Sequence, residues 1–110
     1  MNRTIEHQKL VDDLLFAVGS LPNVRVWPRT VGTFLTLHGK RVVSIGPVGG
    51  ADITGIIRPW GTRLCLEIKT GEGQLNSDQK KFRDMILNFG GIYIEARSVE
   101  QVLAELKKYT

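Results

Sequence analysis

Three side chains, Asp52, Glu67 and Lys69, have the types and spacing for chemistry at a phosphate. In Arg63-Leu-Cys-Leu-Glu-Ile-Lys69, strand alternation puts Leu64, Leu66 and Ile68 on one face and Cys65, Glu67 and Lys69 on the other. A preceding strand opens at Asp52, directly after Gly49-Gly-Ala51. If the turn at 58–62 pairs the two strands as a hairpin, residues whose numbers sum to about 121 lie opposite one another. Asp52 then sits near Lys69 and within a residue or two of Glu67. Two carboxylates about 4 Å apart repel by roughly 4 kcal/mol at an effective dielectric of about 20. A divalent cation reverses that sign, and magnesium is typically held by one or two carboxylates, waters and substrate phosphate oxygens. The matching chemistry is attack of an acidified water on phosphorus, with Lys69 orienting the water or stabilising charge in the transition state.

Positioning these residues requires a framework. Apolar residues at Leu10, Val11, Leu14, Leu15, Ala17 and Val18 predict a helix over 4–18, stopped by Gly19-Ser20 and Pro22. Short strands are predicted at Val24–Trp27, Phe34–His38 and Arg41–Ile45, the last two joined at Gly39-Lys40 as a hairpin. Ala51–Ile57 and Arg63–Lys69 follow, and the earlier strands could form one meander with them. Asn76-Ser-Asp78 opens a second helix over 77–89, lined by Leu75, Phe82, Ile86 and Phe89 and closed by Gly90-Gly91. A strand at Ile92–Glu95 and a helix over 99–109, begun by a Ser98–Gln101 capping box, complete the chain. The late β-α-β unit makes its two strands parallel. Together these predict one α/β domain over residues 1–110, with a central mixed sheet.

Two helical residues point toward the same place. Glu6 extends the line of Leu10 and Leu14 by one turn, and Gln79 precedes Phe82 and Ile86. Each candidate has a plainer reading. Glu67 and Lys69 can be a surface ion pair worth under about 1 kcal/mol. Asp52 can be a turn residue, and Glu6 and Gln79 exposed helix polars. The joint reading gains weight because all five fit one geometric plan. Candidate contacts to a phosphate backbone are Lys80, Lys81 and Arg83 beside Gln79, and Arg58 and Arg63 around Pro59-Trp60-Gly61. For the helix cations the alternative is a solvated face; Trp60 either stacks on a base, packs across a dimer or packs locally. Glu72, in Gly71-Glu-Gly-Gln-Leu75, is read as loop surface rather than a metal ligand. His7 lies about 100° round the helix from Glu6 and is expected to be no ligand. Trp27, Phe34 and Tyr93 are expected in the core.

Composition sets outer bounds. Hydrophobic residues make up 42% and charged residues 24% of 110 residues, ordinary for a globular domain. A single cysteine, Cys65, excludes an intramolecular disulfide and a cysteine-built zinc site. No apolar run approaches the roughly 20 residues of a membrane span. The polar start MNRTIEHQKLVDD lacks the apolar centre of a signal peptide, so a cytoplasmic location is expected. The net charge of +4 is compatible with a polyanionic partner but is a mild excess.

The order of an acidic residue in the first helix (Glu6), Gly49-Gly-Ala-Asp52, Glu67-Ile-Lys69 and Gln79 in the next helix resembles the PD-(D/E)XK nuclease superfamily. More narrowly it is similar to the virus-type replication–repair nuclease (VRR-NUC) domain, over nearly the whole chain. The resemblance implies a central mixed β-sheet flanked by helices, an α-β-β-β-α-β core with an extra C-terminal helix. It implies that Asp52, Glu67 and the backbone carbonyl of Ile68 hold Mg²⁺ or Mn²⁺, that Lys69 aids catalysis, and that Glu6 and Gln79 complete the site. The chain departs from the pattern at Ala51, where proline is usual; proline there shapes the backbone and supplies no ligand. The implied activity is that of an endonuclease selective for branched DNA, such as four-way junctions or flaps, in replication, repair or recombination. Small standalone members, often from phages, look like homodimers. The alternative is a non-catalytic DNA-binding or assembly module that keeps the fold. A sequence-specific restriction-type enzyme would need recognition elements for which this chain has little room.

Overall fold

A computed structural model describes residues 3–29, 32–35, 42–45 and 48–110. Helix α1 (Arg3–Gly19) forms because Val11, Leu14 and Val18 recur at helical spacing and are all buried. Its polar side is held by i, i+4 pairs, Lys9 with Asp13 at 2.7 Å and Gln8 with Asp12 at 2.9 Å. The Ser20 hydroxyl donates to the Phe16 carbonyl at 2.7 Å and closes the last turn.

Strands β1 (Val24–Pro28), β4 (Ile53–Ile57), β5 (Thr62–Ile68) and β6 (Ile92–Ala96) form one mixed sheet in the order β1-β4-β5-β6. The β1–β4 and β4–β5 pairs are antiparallel, and β5–β6 is parallel across α2 (Ser77–Asn88), as the β-α-β reading predicts. Between β1 and β4, β2 (Gly32–Leu35) and β3 (Val42–Ile45) make a separate antiparallel ladder. They do not join the main sheet, so β1 pairs directly with β4 instead of through a meander. The turn at Gly39-Lys40, with His38 beside it, falls outside the described residues. Helix α3 (Val99–Leu106) ends the fold, shorter than its predicted reach to 109.

Alternation gives the sheet two different faces. Leu64, Leu66 and Ile68 of β5 pack with Ile53, Ile57, Ile92 and Ile94 under α1 and α3, whose Leu14, Val18, Val102 and Leu106 are fully buried. The opposite face is covered by α2, where Ala51, Cys65 and Ile86 form a small second core with Phe82 and Tyr93. Trp27 is on this second face, opposite Thr54, and is 44% exposed rather than in the core. Residues 58–61 make the β4–β5 connection, so Ile57 faces Thr62 and Ile53 faces Leu66. The register is two residues tighter than the hairpin arithmetic predicts. Extending it by one pair sets Asp52 across from Glu67, not Lys69.

Candidate active site

Asp52 stands one residue before β4, where the chain arrives from a glycine pair. Gly49 has φ of 75°, and a Cβ there would lie 2.3 Å from the carbonyl oxygen of Asp78 and 2.8 Å from the amide nitrogen of Gln79. Only glycine lets this backbone lie against the first turn of α2. One contact thus sets the approach to Asp52 and the position of Gln79. The Asp52 carbonyl accepts from the Arg29 N–H at 2.9 Å. Its carboxylate Oδ2 accepts from the backbone N–H of Ile68 at 2.9 Å and lies 3.4 Å from His7 Nε2. The carboxylate is therefore pinned to the strand that carries Glu67.

Glu67 is 3% exposed on the α2 face. Its Oε2 accepts from Gln79 Nε2 at 3.3 Å, and its Oε1 is buried with no hydrogen-bond donor among the described residues. Burial, and then the neighbouring Asp52 carboxyl, push its pKa up to about 8, against the opposing charges of Lys69 and Arg29. Two carboxyl groups are thus held together at the cost of ionisation, sharing a proton for which a cation could substitute.

Gln79 ties the site to the helix end. It is the third residue of α2, and its backbone N–H donates to the Asn76 side chain at 2.8 Å, while its Oε1 accepts from the Asn76 N–H at 2.9 Å. That capping box settles which end of the amide is oxygen. Oε1 also accepts from Lys69 Nζ at 3.0 Å, and the remaining amide hydrogens face Glu67. The ends of Lys69 and Glu67 are bridged by one side chain. Downstream, Arg97 donates to the carbonyls of Gly71 and Gly73 and pairs with Glu95 at 2.6 Å, fastening the loop after β5.

These groups open into a cavity of about 330 Å³ lined by Asp52, Glu67, Lys69, Gln79 and, from α1, His7. Asp52, Glu67, Ile68, Lys69 and Gln79 are brought together. Glu6 is not: it is exposed and lines a neighbouring cavity with Lys9, Asp13 and Arg97. His7, expected to be no ligand, is the α1 residue beside Asp52. The missed signal is the buried line Val11, Leu14 and Val18, which His7 extends by one turn. Glu6 extends a line through Leu10, which is only half-buried.

The candidate DNA contacts are dispersed. Lys80 and Lys81 are exposed on α2, and Arg83 pairs with its neighbour Asp84 at 2.9 Å. Arg58 sits at the β4–β5 turn, at the far end of the sheet from Asp52. Arg63 shares the face of Glu67 but lies four residues, about 13 Å, back along β5.

Among the described residues, no three side chains of the His, Cys, Asp or Glu types converge into a ready-made metal cage. The oxygens that fit a hard divalent cation are the two carboxylates and the Ile68 carbonyl, a set that leaves room for water and phosphate. The Glu67 Oε1 that finds no donor among the described residues and the raised pKa of Glu67 fit such a cation, because positive charge there removes both penalties. Among the described residues no helix is long and apolar enough to cross a membrane. Comparison with protein-family models, with curated proteins and with solved structures gives no match.

Proposed function

We propose that this chain is a metal-dependent endonuclease of PD-(D/E)XK type that hydrolyses phosphodiester bonds of branched DNA. The observation that carries the reading is the buried Oε1 of Glu67, which has no hydrogen-bond donor among the described residues, beside the Asp52 carboxyl. Burying a carboxylate oxygen without a partner is unfavourable unless a ligand uses it. Asp52, Glu67 and the Ile68 carbonyl would hold Mg²⁺ or Mn²⁺. When bound, such a cation supplies Lewis acidity at phosphoryl oxygens and lowers the pKa of water. The side chains do the rest. The Ile68 N–H and His7 hold the Asp52 carboxylate, Gln79 holds Glu67 through Oε2 and leaves Oε1 available, and the same amide aims Lys69 Nζ into the cavity. From there Lys69 offers positive charge to a phosphate oxygen as it gains charge. A homodimer would widen the grip of so small a domain on DNA.

The test is incubation of the purified protein with flap, fork, four-way and linear DNA in Mg²⁺, Mn²⁺ or EDTA. Cleavage of branched DNA is expected only with a divalent cation, and is expected to disappear in Asp52→Ala and Lys69→Ala. Cutting that survives EDTA or both substitutions overturns the reading. Tight binding without any cutting assigns the chain to the non-catalytic DNA-binding role instead.

A further inference from the structure

The part of the α2 face that α2 leaves uncovered presents an arginine-rich surface that leads to the carboxylates. Arg25 pairs across β4 through Ile56 to Arg63, and Trp27 through Thr54 to Cys65, so these side chains share one face of β1, β4 and β5. Arg29 follows β1 and is fixed at the level of Asp52 by its backbone N–H. Glu67 is the only acidic residue on these three strands, so the face is positive until it reaches the site.

Within this face lies a cavity of about 310 Å³, separate from the carboxylate cavity, lined by Arg29, Arg63, Thr54, Cys65, Phe82 and Met85. Nε and Nη1 of Arg29 are buried with no hydrogen-bond partner among the described residues, and the Thr54 hydroxyl lies beside the Cys65 thiol. A guanidinium nitrogen buried with its hydrogens unused is costly, and the ligand that best relieves it is an anion with several acceptor oxygens. Arg29 is also close enough for its charge to act on Glu67. Exposed Trp27 borders this region with an aromatic surface.

Resting on the endonuclease reading, we propose that this face is the track for the DNA strand. Arg29, Arg63 and Thr54 hold a backbone phosphate next to the one being cut, and Trp27 stacks on an adjoining base. The track replaces the dispersed cations Arg58, Lys80 and Lys81 as the source of grip.

The test is fluorescence anisotropy of the full chain with a labelled four-way junction in EDTA, repeated over a range of salt. Each lost phosphate contact lowers the slope of log affinity against log salt by about 0.9 for duplex DNA. Arg29→Gln and Arg63→Gln are each expected to lower the slope by about that amount and to weaken binding about tenfold. Trp27→Ala should weaken binding with the slope unchanged, and Arg58→Gln and Lys81→Gln should match the wild type. Because Arg63 is exposed, Arg63→Gln carries the test even if Arg29→Gln fails to fold. Wild-type affinity and slope in Arg63→Gln, with cutting still dependent on Asp52, overturn the track alone. A wild-type chain that binds no DNA overturns the track and the endonuclease reading together.

Discussion

Between the sheet and helices α1 and α3, Leu14, Val18, Leu64, Leu66 and Leu106 are sealed from water among other apolar side chains. On the opposite face, α2 closes a small core around Cys65 and Ile86, and buried polar atoms of Arg29, Glu67 and Tyr93 have no hydrogen-bond partner among the described residues. The first face gains free energy simply by excluding water. The second gives up some of that gain by burying polar groups beside the carboxylate cavity. Strand β5 belongs to both, so consecutive residues should respond to substitution in opposite ways.

Leu66 and Glu67 give the sharpest form of that contrast. Glu67→Gln is expected to lower cleavage by about 10³-fold, equivalent to about 4 kcal/mol of transition-state stabilisation. It should leave the fold as stable as before, or more so when no cation is present. Leu66→Ala is expected to cost about 2–5 kcal/mol of folding stability, because it leaves a cavity in a fully buried layer. The molecules that stay folded should still cut. Urea unfolding and single-turnover cleavage measured on both variants would separate the faces; if Glu67→Gln unfolds the chain while Leu66→Ala does not, the contrast is wrong.

Acidity tests the same contrast in the intact chain. The Glu67 carboxyl keeps its proton up to about pH 8 in the folded state, but in the unfolded chain it loses the proton near 4.5. Between those values the folded state binds more protons, so stability falls as pH rises through this window and levels off above it. Without a divalent cation, melting temperature should drop by several degrees across that range. Glu67→Gln should flatten the curve, and Mg²⁺ should raise the melting temperature more at the alkaline end than at the acid end. A pH profile identical in wild type and Glu67→Gln would mean that the carboxyl is not held at this cost.

Gln79 belongs to the helix end and to the site at once, so its variants should divide the two roles. Gln79→Ala removes an arm of the capping box, worth about 1 kcal/mol, and the bridge between Lys69 and Glu67, worth about 10–100-fold in cleavage. Gln79→Glu keeps oxygens for the Asn76 N–H and for Lys69 but loses the donor to Glu67. Cleavage should fall there while most of the stability remains. Equal losses of stability in the two variants would reduce Gln79 to a cap.

The sequence made the helices and the faces of β5 legible because a helix and a strand have fixed periods, and buried Leu14, Leu64 and Leu66 follow them. Asp52, Glu67, Lys69 and Gln79 could be grouped because their strands and helix are neighbours in the chain. Pairing partners have no such signal. Nothing in Val24–Pro28 says that it lies against β4, so the shared face of Arg25, Trp27 and Arg63 emerges only from the ladder. Fine registers also escape, since the length of the 58–61 turn, not any side-chain pattern, sets Asp52 opposite Glu67. At Ser98 the predicted capping box forms only in part. The Ser98 hydroxyl accepts from the Gln101 N–H, but the Gln101 side chain accepts from Arg97 instead of closing on Ser98.

The smallest expected effect discriminates between two adjacent residues. Glu6 and His7 lie about 100° apart on α1, and which of them meets the sheet depends on which apolar line is buried. The line Val11, Leu14 and Val18 is buried throughout, so the helix turns His7 toward Asp52 and Glu6 toward Lys9 and Arg97. His7 Nε2 is 3.4 Å from the carboxylate, and its side chain is 37% exposed, so its hold on Asp52 is modest. His7→Ala is expected to lower cleavage about tenfold, the low end for a group that orients a ligand, with little change in stability. Glu6→Ala should cut like the wild type. If Glu6→Ala is the variant that loses activity, α1 must rotate by about one residue when DNA binds, and the division between the two faces at this helix would have to be redrawn.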